Sequence, residues 1–153
     1  RFCNVALSLK YQLPKSYELK EGCGVFLNQH GGQAVIIAYG QVMLNEAMAA
    51  AQILDKLGVA LSVVNLPWLN FVDQKWLRQL RNFGLIVTLD DHYLIGGQGQ
   101  MVGNALASAG IRSPKLLNLG LAQIPACGRN DEVLHHHQLD GKSIAEKIIE
   151  ILK

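Results

Sequence analysis

The stretch LIVTLDDHYLIGGQGQMVG, residues 85–103, decides the fold class of this chain. A largely apolar run enters two aspartates and a histidine, and a glycine cluster then precedes a second apolar pattern with helical spacing. Such a run predicts a strand buried on both faces, and the glycines predict a tight turn into a helix. We interpret the stretch as one strand–turn–helix unit of an α/β domain.

The same alternation continues on both sides of this stretch. Further strands are predicted at 34–40, 60–66 and 115–121, with 85–91 as the third in chain order. Helices are predicted at 44–58, 73–84 and 97–110, at 130–137 as one or two turns, and from 143 to 152. This order predicts a three-layer α/β/α fold with a mostly parallel, about five-stranded sheet that includes one antiparallel edge strand.

Two helix starts have side-chain signals of their own. Asp73 is a plausible N-cap for the helix at 73–84. Ser143 and Glu146 have the spacing of a capping box, which predicts that the final helix opens at Ser143.

The first 33 residues differ from the rest. They are irregular and rich in glycine, and the run at 24–27 alone resembles a short strand. We therefore expect a linker or arm with a short edge strand over 1–33 and one α/β domain over 34–153. The chain begins at Arg1 without a methionine or a signal-peptide pattern, so we expect a fragment of a longer protein.

Composition excludes several classes of protein. The 153 residues carry a net charge of +2 from scattered Lys and Arg, which predicts neither a nucleic-acid partner nor a membrane surface as partner. The longest apolar runs have the length of strands and cannot span a bilayer. Three cysteines without CxxC spacing favour a reducing compartment, and hence the cytoplasm, over a disulfide framework or a zinc site.

The glycine cluster first suggests a dinucleotide-binding turn. Its spacing is GxGxxxG rather than GxGxxG, and it follows the third strand of the alternation instead of the first. The next strand ends in Leu119, Gly120 and Leu121, without the acidic residue that would hold a ribose hydroxyl. The sequence therefore argues against a nicotinamide or flavin site.

An anion site at the start of the helix remains open. Ligands of doubly wound sheets gather where the strand order reverses, which here would be between the strands at 34–39 and 85–90. The residues expected to border that crevice are Tyr39, Gly40, Gln41, Asp90, Asp91, His92, Gly96, Gly97, Gln98 and Gly99.

Two interpretations of this crevice stay open. In one, the residues form an anion or domain-contact site, for which the candidates are Asp91, His92, Gly96, Gly97 and Gly99. In the other, the aspartates cap loop amides and the glycines allow the helix and strand to pack closely. We predict no catalytic residue, because no set of nucleophile, base and orienting group is visible.

The remaining candidates are weaker. Three successive histidines at 135–137 point about 100° apart on a helix, so they predict a solvated helix end and no metal site. His30 is expected to be exposed, and Cys127 is expected to be a small buried residue. Four aromatic residues are expected to fill the core or a domain interface: Trp68, Trp76, Phe71 and Phe83.

An ordered series of segments resembles the C-terminal domain of transketolase-type thiamine-diphosphate enzymes, the group with transketolases, 1-deoxyxylulose-5-phosphate synthases and beta subunits of 2-oxo acid dehydrogenases. The matching segments are 17–22, 34–40, 49–58, 64–66, 71–73, 87–92, 96–99, 119–121 and 139–144. Each segment alone has low specificity, but their order covers most of the chain. Aspartates at 90 and 91 replace the family's usual glutamates, and Phe71-Val72 replaces Pro-Leu, which indicates a divergent member.

The resemblance implies a function for the parent protein. In this family thiamine diphosphate and magnesium are bound by other domains, and the parent is a transferase that works as a homodimer. The C-terminal domain is then non-catalytic, supports the dimer and active-site architecture, has the other domains of the same enzyme as partners, and is inactive alone. The alternative is a free-standing nucleotide- or anion-binding regulatory module that uses the turn at 96–99. Donor and acceptor substrates are left open.

Overall fold

The computed structural model of the chain describes residues 8–111 and 115–153. Strands and helices alternate along most of it. The strands are β1 (Val25–Asn28), β2 (Ala34–Ala38), β3 (Leu61–Asn65), β4 (Leu85–Tyr93) and β5 (Lys115–Leu121). The helices are α1 (Gly40–Asp55), α2 (Gln74–Leu77), α3 (Gln98–Ser108), α4 (Asn130–His136) and α5 (Gly141–Leu152), with a 3₁₀ helix at Arg78–Asn82.

The strands form one mixed sheet in the order β1-β3-β2-β4-β5. The central strand β2 is parallel to both neighbours, so Ala34 pairs with Leu61 of β3 and with Leu85 of β4. β5 is parallel to β4, whereas β1 is antiparallel to β3 and forms one edge. The predicted fold class is therefore confirmed, and the strand order reverses between β2 and β4.

Helices cover both faces of the sheet, and each face has its own apolar core. α1, α4 and α5 pack on one face, where Leu54 and Ile144 are fully buried against Ile36. α2 and α3 pack on the other face, where Trp76 and Leu106 are buried against Ile37. β2 is buried along its whole length, which explains why its sequence shows no alternation of polar and apolar residues.

Several helices differ from their predicted extent, and α1 and α2 differ most. α1 begins at Gly40 rather than at 44, because Gly40 adopts a φ of +72° and lets β2 turn at once into the helix. The helix predicted at 73–84 is α-helical over Gln74–Leu77 and continues as the 3₁₀ helix. Its N-cap is confirmed, since the carboxylate of Asp73 accepts the Trp76 amide at 2.8 Å.

The predicted start of the final helix at Ser143 is wrong. α5 begins at Gly141, and its N-cap is Asp140. Oδ1 of Asp140 accepts the amides of Lys142 and Ser143, and the Ser143 hydroxyl donates to Oδ2 at 2.7 Å. An ionised carboxylate is a stronger acceptor for helix-start amides than a hydroxyl, so Asp140 takes the position.

The described part of the arm lies against the domain. The Lys10 amide donates to Oδ1 of Asn45 in α1 at 2.8 Å, and Nδ2 of Asn45 donates to the Ser8 carbonyl. Further along, Nε1 of Trp68 donates to the Lys20 carbonyl at 2.9 Å. The arm is thus held to the domain at both ends before it enters β1. Within the ranges described, no helix is both long and apolar enough to cross a membrane.

Candidate functional site

The centre of the candidate site is the carboxylate of Asp90, at the carboxyl end of β4. Asp90 is fully buried. Its Oδ1 accepts the Gln98 amide at 2.7 Å, and its Oδ2 accepts the Gly99 amide at 3.1 Å. Both amides belong to the first turn of α3, where the helix dipole favours a negative charge. Asp90 therefore caps α3 from the neighbouring strand, as the packing interpretation predicts.

Tyr39 joins this carboxylate from the end of β2. Its hydroxyl donates to Oδ1 of Asp90 at 3.1 Å. Burial of the ring, together with the nearby negative charges of Asp90 and Asp91, raises the pKa of Tyr39 far above its ordinary value. Tyr39 consequently stays protonated at neutral pH and serves as a hydrogen-bond donor, with no role as a base.

The side chain of Gln98 reaches to the end of β3. Its Nε2 donates to the carbonyl of Leu66 at 2.7 Å and to the carbonyl of Trp68 at 3.2 Å. Its Oε1 is buried and has no hydrogen-bond partner within the described residues. Gln98, Tyr39 and Asp90 therefore link the carboxyl ends of β2, β3 and β4, and the crevice at the reversal of strand order is filled by the chain's own polar groups.

The glycines of the turn allow this close packing. A Cβ atom at Gly97 would lie 2.7 Å from the Tyr93 carbonyl oxygen and 2.8 Å from Oδ2 of Asp90. A Cβ atom at Gly99 would lie 2.5 Å from Oγ1 of Thr88. Side chains at these two positions would separate α3 from β4. Gly97 and Gly99 thus serve the contact between helix and strand, whereas a Cβ atom at Gly96 would meet no atom within 4 Å.

The amides of this turn already have partners inside the chain. Besides the two amides bound to Asp90, the Gly96 amide donates to Oε1 of Gln100 at 2.8 Å. The Gly97 amide donates to the Leu94 carbonyl at 3.4 Å. A free anion at the helix start would have to displace these bonds and lie beside the Asp90 carboxylate. The nucleotide- or anion-binding module therefore has no support in this geometry.

The end of β4 and the segment between β4 and α3 also present side chains to solvent. His92 is exposed, its ring lies edge-on to that of Tyr93, and its Nδ1 is 3.4 Å from the Tyr93 carbonyl oxygen. Tyr93 is 41% exposed and Ile95 is 82% exposed. Asp91 is half-buried beside them. The interpretation of Asp91 and His92 as domain contacts stays a prediction.

The other candidates are not brought to this site. His135 and His136 are exposed, which agrees with a solvated helix end, while Nε2 of His137 accepts the Ala126 amide at 3.0 Å. His30 is exposed as expected. The prediction that Cys127 is buried is wrong, since the chain between β5 and α4 runs over the surface there. Of the aromatic residues, Trp76 and Phe83 are buried, Trp68 is half-buried and Phe71 is 46% exposed.

Sequence reasoning placed Tyr39 and Asp90 at the crevice but missed the role of the Gln98 side chain. A glutamine between two glycines at a helix start is the only signal in the sequence. Leu66 and Trp68 lie about 30 residues away from Gln98 along the chain, so these hydrogen bonds depend on the strand order.

The mixed sheet with helices on both faces defines an α/β domain. The family model described as "Transketolase, C-terminal domain" matches residues 24–144. The chain therefore belongs to the transketolase C-terminal domain family. The match begins just before β1, so it includes the edge strand.

Similar proteins agree with this assignment. A "Putative transketolase C-terminal section" of Methanocaldococcus jannaschii is 35% identical over 80% of the chain, and a 1-deoxy-D-xylulose-5-phosphate synthase of a Synechococcus species is 36% identical over 77%. The chain spans 38% and 18% of the lengths of these two curated relatives. The solved structure of a "Split gene transketolase, inactive beta4 tetramer" matches 94% of the chain and 46% of its own length, with a TM-score of 0.82 and 23% identity. A transketolase of Campylobacter jejuni matches 92% of the chain and 20% of its own length, with a TM-score of 0.64 and 16% identity.

Proposed function

We propose that the chain is the non-catalytic C-terminal domain of a thiamine-diphosphate-dependent, transketolase-like transferase, in which it supports the dimer and the active-site architecture. The observation that carries this proposal is the filling of the crevice at the reversal of strand order. In a fold that offers this place to ligands, the polar groups of Asp90, Tyr39 and Gln98 bind one another and the backbone, apart from the unpartnered Oε1 of Gln98. Their chemistry stabilises the domain.

The residues present do not fit thiamine diphosphate with magnesium. A diphosphate at the start of α3 would meet the buried carboxylate of Asp90, whose charge would repel it. The described ranges also contain no group of three or more His, Cys, Asp or Glu side chains that could hold a metal ion. We therefore assign the cofactor and its magnesium to other domains of the parent enzyme, and we derive no reaction step from this chain.

The other domains of the parent enzyme are proposed to contact this chain at the carboxyl end of the sheet. Two exposed apolar groups lie there, one at the end of β4 and just after it with Tyr93 and Ile95, and one on the loop after β3 with Leu69 and Phe71. Leu69 is 47% exposed. These side chains would contact the rest of the enzyme together with Asp91, His92 and the turn glycines Gly96, Gly97 and Gly99. Such contacts agree with the fact that the chain spans only 38% and 18% of the lengths of its relatives.

The proposal is tested by reconstitution. The chain would be assayed alone, and then with the thiamine-diphosphate-binding domains of its own organism's transketolase-like enzyme. We expect transfer of a two-carbon or acyl unit only from the combination, and no saturable binding of thiamine diphosphate plus magnesium to the chain alone in calorimetry. Turnover by the chain alone, or micromolar cofactor binding to it, would overturn the proposal.

A matched pair of variants tests the surface. Ile95→Glu should weaken assembly with the other domains roughly tenfold or more, because it places a charge in an apolar contact. Leu57→Glu is the control, since Leu57 is 61% exposed but follows α1 at the opposite end of the sheet. If both variants assembled with the other domains equally well, the result would contradict the proposed contact surface.

We also place the protein in the cytoplasm. This proposal is supported by Cys23 and Cys127, which are free thiols in the described structure. Fractionation of the source cells tests it, and recovery in an oxidising compartment with oxidised cysteines would contradict it.

A further inference from the structure

A polar cleft of about 380 Å³ opens beyond the carboxyl end of β5, apart from the crevice at Asp90. Leu94, the last part of β5 and the segment after it form one wall, and the end of α4, the residues that follow it and α5 form the other. None of the lining residues is an aspartate or a glutamate. The residues that give the cleft its chemistry are Gln123, His136, His137, Gln138 and Lys147.

The cation of the cleft is Lys147, on α5. Its Nζ donates to the Gln138 carbonyl at 3.3 Å, which leaves two of its three hydrogens for other acceptors. No carboxylate of the described residues lies within salt-bridge distance of Nζ. Burial lowers the pKa of Lys147, and the negative charge of Asp140 partly opposes this effect. A partly dehydrated ammonium group interacts more strongly with an anion than one in open water.

The histidines supply further donors. Nε2 of His137 accepts the Ala126 amide, so the neutral ring carries its hydrogen on Nδ1. The ring of His136 lies edge-on against His137, with centroids 4.9 Å apart. His137 is thereby held in one orientation by a backbone amide on one side and an imidazole on the other.

The backbone at Gln138 is unusual. It has a φ of +56°, and within the described ranges it is the one residue other than glycine with a positive φ. It follows α4 at a position that commonly belongs to glycine, since glycine adopts this conformation without steric cost. A glutamine here costs stability, and this backbone conformation accompanies the contact of the Gln138 carbonyl with Nζ of Lys147. Strained residues of this kind cluster at ligand-binding sites.

We propose that this cleft binds the phosphate group of a small phosphorylated compound. A phosphate offers several acceptor oxygens to the donors of Lys147, His136 and His137, and a lysine is a common point-charge partner for phosphate. The cleft volume is sufficient for a phosphate monoester with a short carbon chain. This site is independent of the proposed function and of the filled crevice.

The test is a titration of the 153-residue chain followed by ¹⁵N NMR at constant ionic strength. The probes are inorganic phosphate and glycerol 3-phosphate, with glycerol and sodium chloride as controls. We expect saturable chemical-shift changes confined to the backbone amides of 118–123 and 136–138. Binding should be tighter with glycerol 3-phosphate than with inorganic phosphate if the cleft also holds the carbon chain. Lys147→Gln should weaken binding about tenfold, because it removes a charged hydrogen bond. Lys142→Gln, on the same helix but 75% exposed and outside the cleft, should leave it unchanged.

Each other outcome overturns the site. Shifts that chloride reproduces at equal ionic strength would indicate charge screening alone. Absence of saturation with both phosphate probes would show that the cleft has no affinity for phosphate, and equal losses in the two lysine variants would place binding elsewhere. Should Lys147→Gln alter the circular dichroism spectrum, His136→Gln replaces it, since His136 is exposed on α4.

Discussion

The hydroxyl of Tyr39 donates a hydrogen bond to the carboxylate of Asp90 over 3.1 Å and joins the ends of β2 and β4 where the strand order reverses. Doubly wound sheets commonly bind their ligands at this point. Here the carboxylate stands at the start of α3 in the position that a bound anion would take. The bond therefore closes the crevice.

The Asp90 cap is predicted to be a major source of stability. Asp90→Ala should lower the free energy of unfolding by about 2–4 kcal/mol, because it leaves two buried amides without acceptors. Tyr39→Phe should cost about 1 kcal/mol, since it removes one neutral donor and keeps the ring. Urea unfolding measures both values. A loss below about 0.5 kcal/mol for Asp90→Ala would refute the cap.

Close approach of α3 to β4 is predicted to require glycine at position 99. Gly99→Ala should destabilise the fold by about 1–3 kcal/mol, because its Cβ would press against Thr88 and Asn118. Gly31→Ala is the matched control, as its Cβ would meet no atom within 4 Å, and we expect a change within about 0.5 kcal/mol. Thermal denaturation compares the two variants. Equal melting temperatures would show that α3 can move away without cost.

The strain at Gln138 is predicted to be measurable. Gln138→Gly should raise the free energy of unfolding by about 1 kcal/mol, because glycine tolerates the positive φ. Gln138→Ala keeps a Cβ and hence the strain, so it should give no such gain. Chemical denaturation of both variants separates the backbone effect from loss of the side chain. If Gln138→Ala raised the free energy of unfolding as much as Gln138→Gly, the effect would come from loss of the side chain rather than from the backbone.

The cap of α5 is predicted to make stability depend on pH. Burial by itself would raise the pKa of Asp140, but hydrogen bonds from Ser143 and His135 outweigh it and lower the pKa from its usual value. A carboxyl group with a lowered folded-state pKa stabilises the fold above its unfolded-state pKa, and this contribution disappears as the pH falls through the folded-state value.

Asp140→Asn should therefore cost about 1 kcal/mol at pH 7, and the difference from the parent chain should shrink as the pH falls below the ordinary pKa of an aspartate. Urea unfolding between pH 7 and pH 3 measures this convergence. Asp131→Asn serves as the control, because Asp131 lies on the surface of α4 with 74% of its side chain exposed. A difference for Asp140→Asn that stays constant across this range would contradict a role for its charge.

The buried strands could be predicted from the sequence, whereas the start of the final helix could not. β2 and β4 were predictable because buried parallel strands are continuous apolar runs, and the edge strand near 24–27 followed from its glycine-rich surroundings. The start of α5 was assigned to Ser143 because Ser-x-x-Glu is a local pattern. Asp140 lies three residues earlier and is a stronger cap, but it is not part of this local pattern.

The sequence by itself determined the alternation of strands and helices, the family resemblance and the position of the polar residues in the last part of β4. These are local properties, set by apolar periodicity and by glycine. Only the tertiary structure decided what those polar residues do. The partners of Asp90 and Gln98 come from β2, β3 and α3, which are brought together by strand order rather than by neighbourhood in the chain. The physical reason is that a buried carboxylate must find hydrogen-bond donors, and the packing of three strand ends around one helix start supplies them.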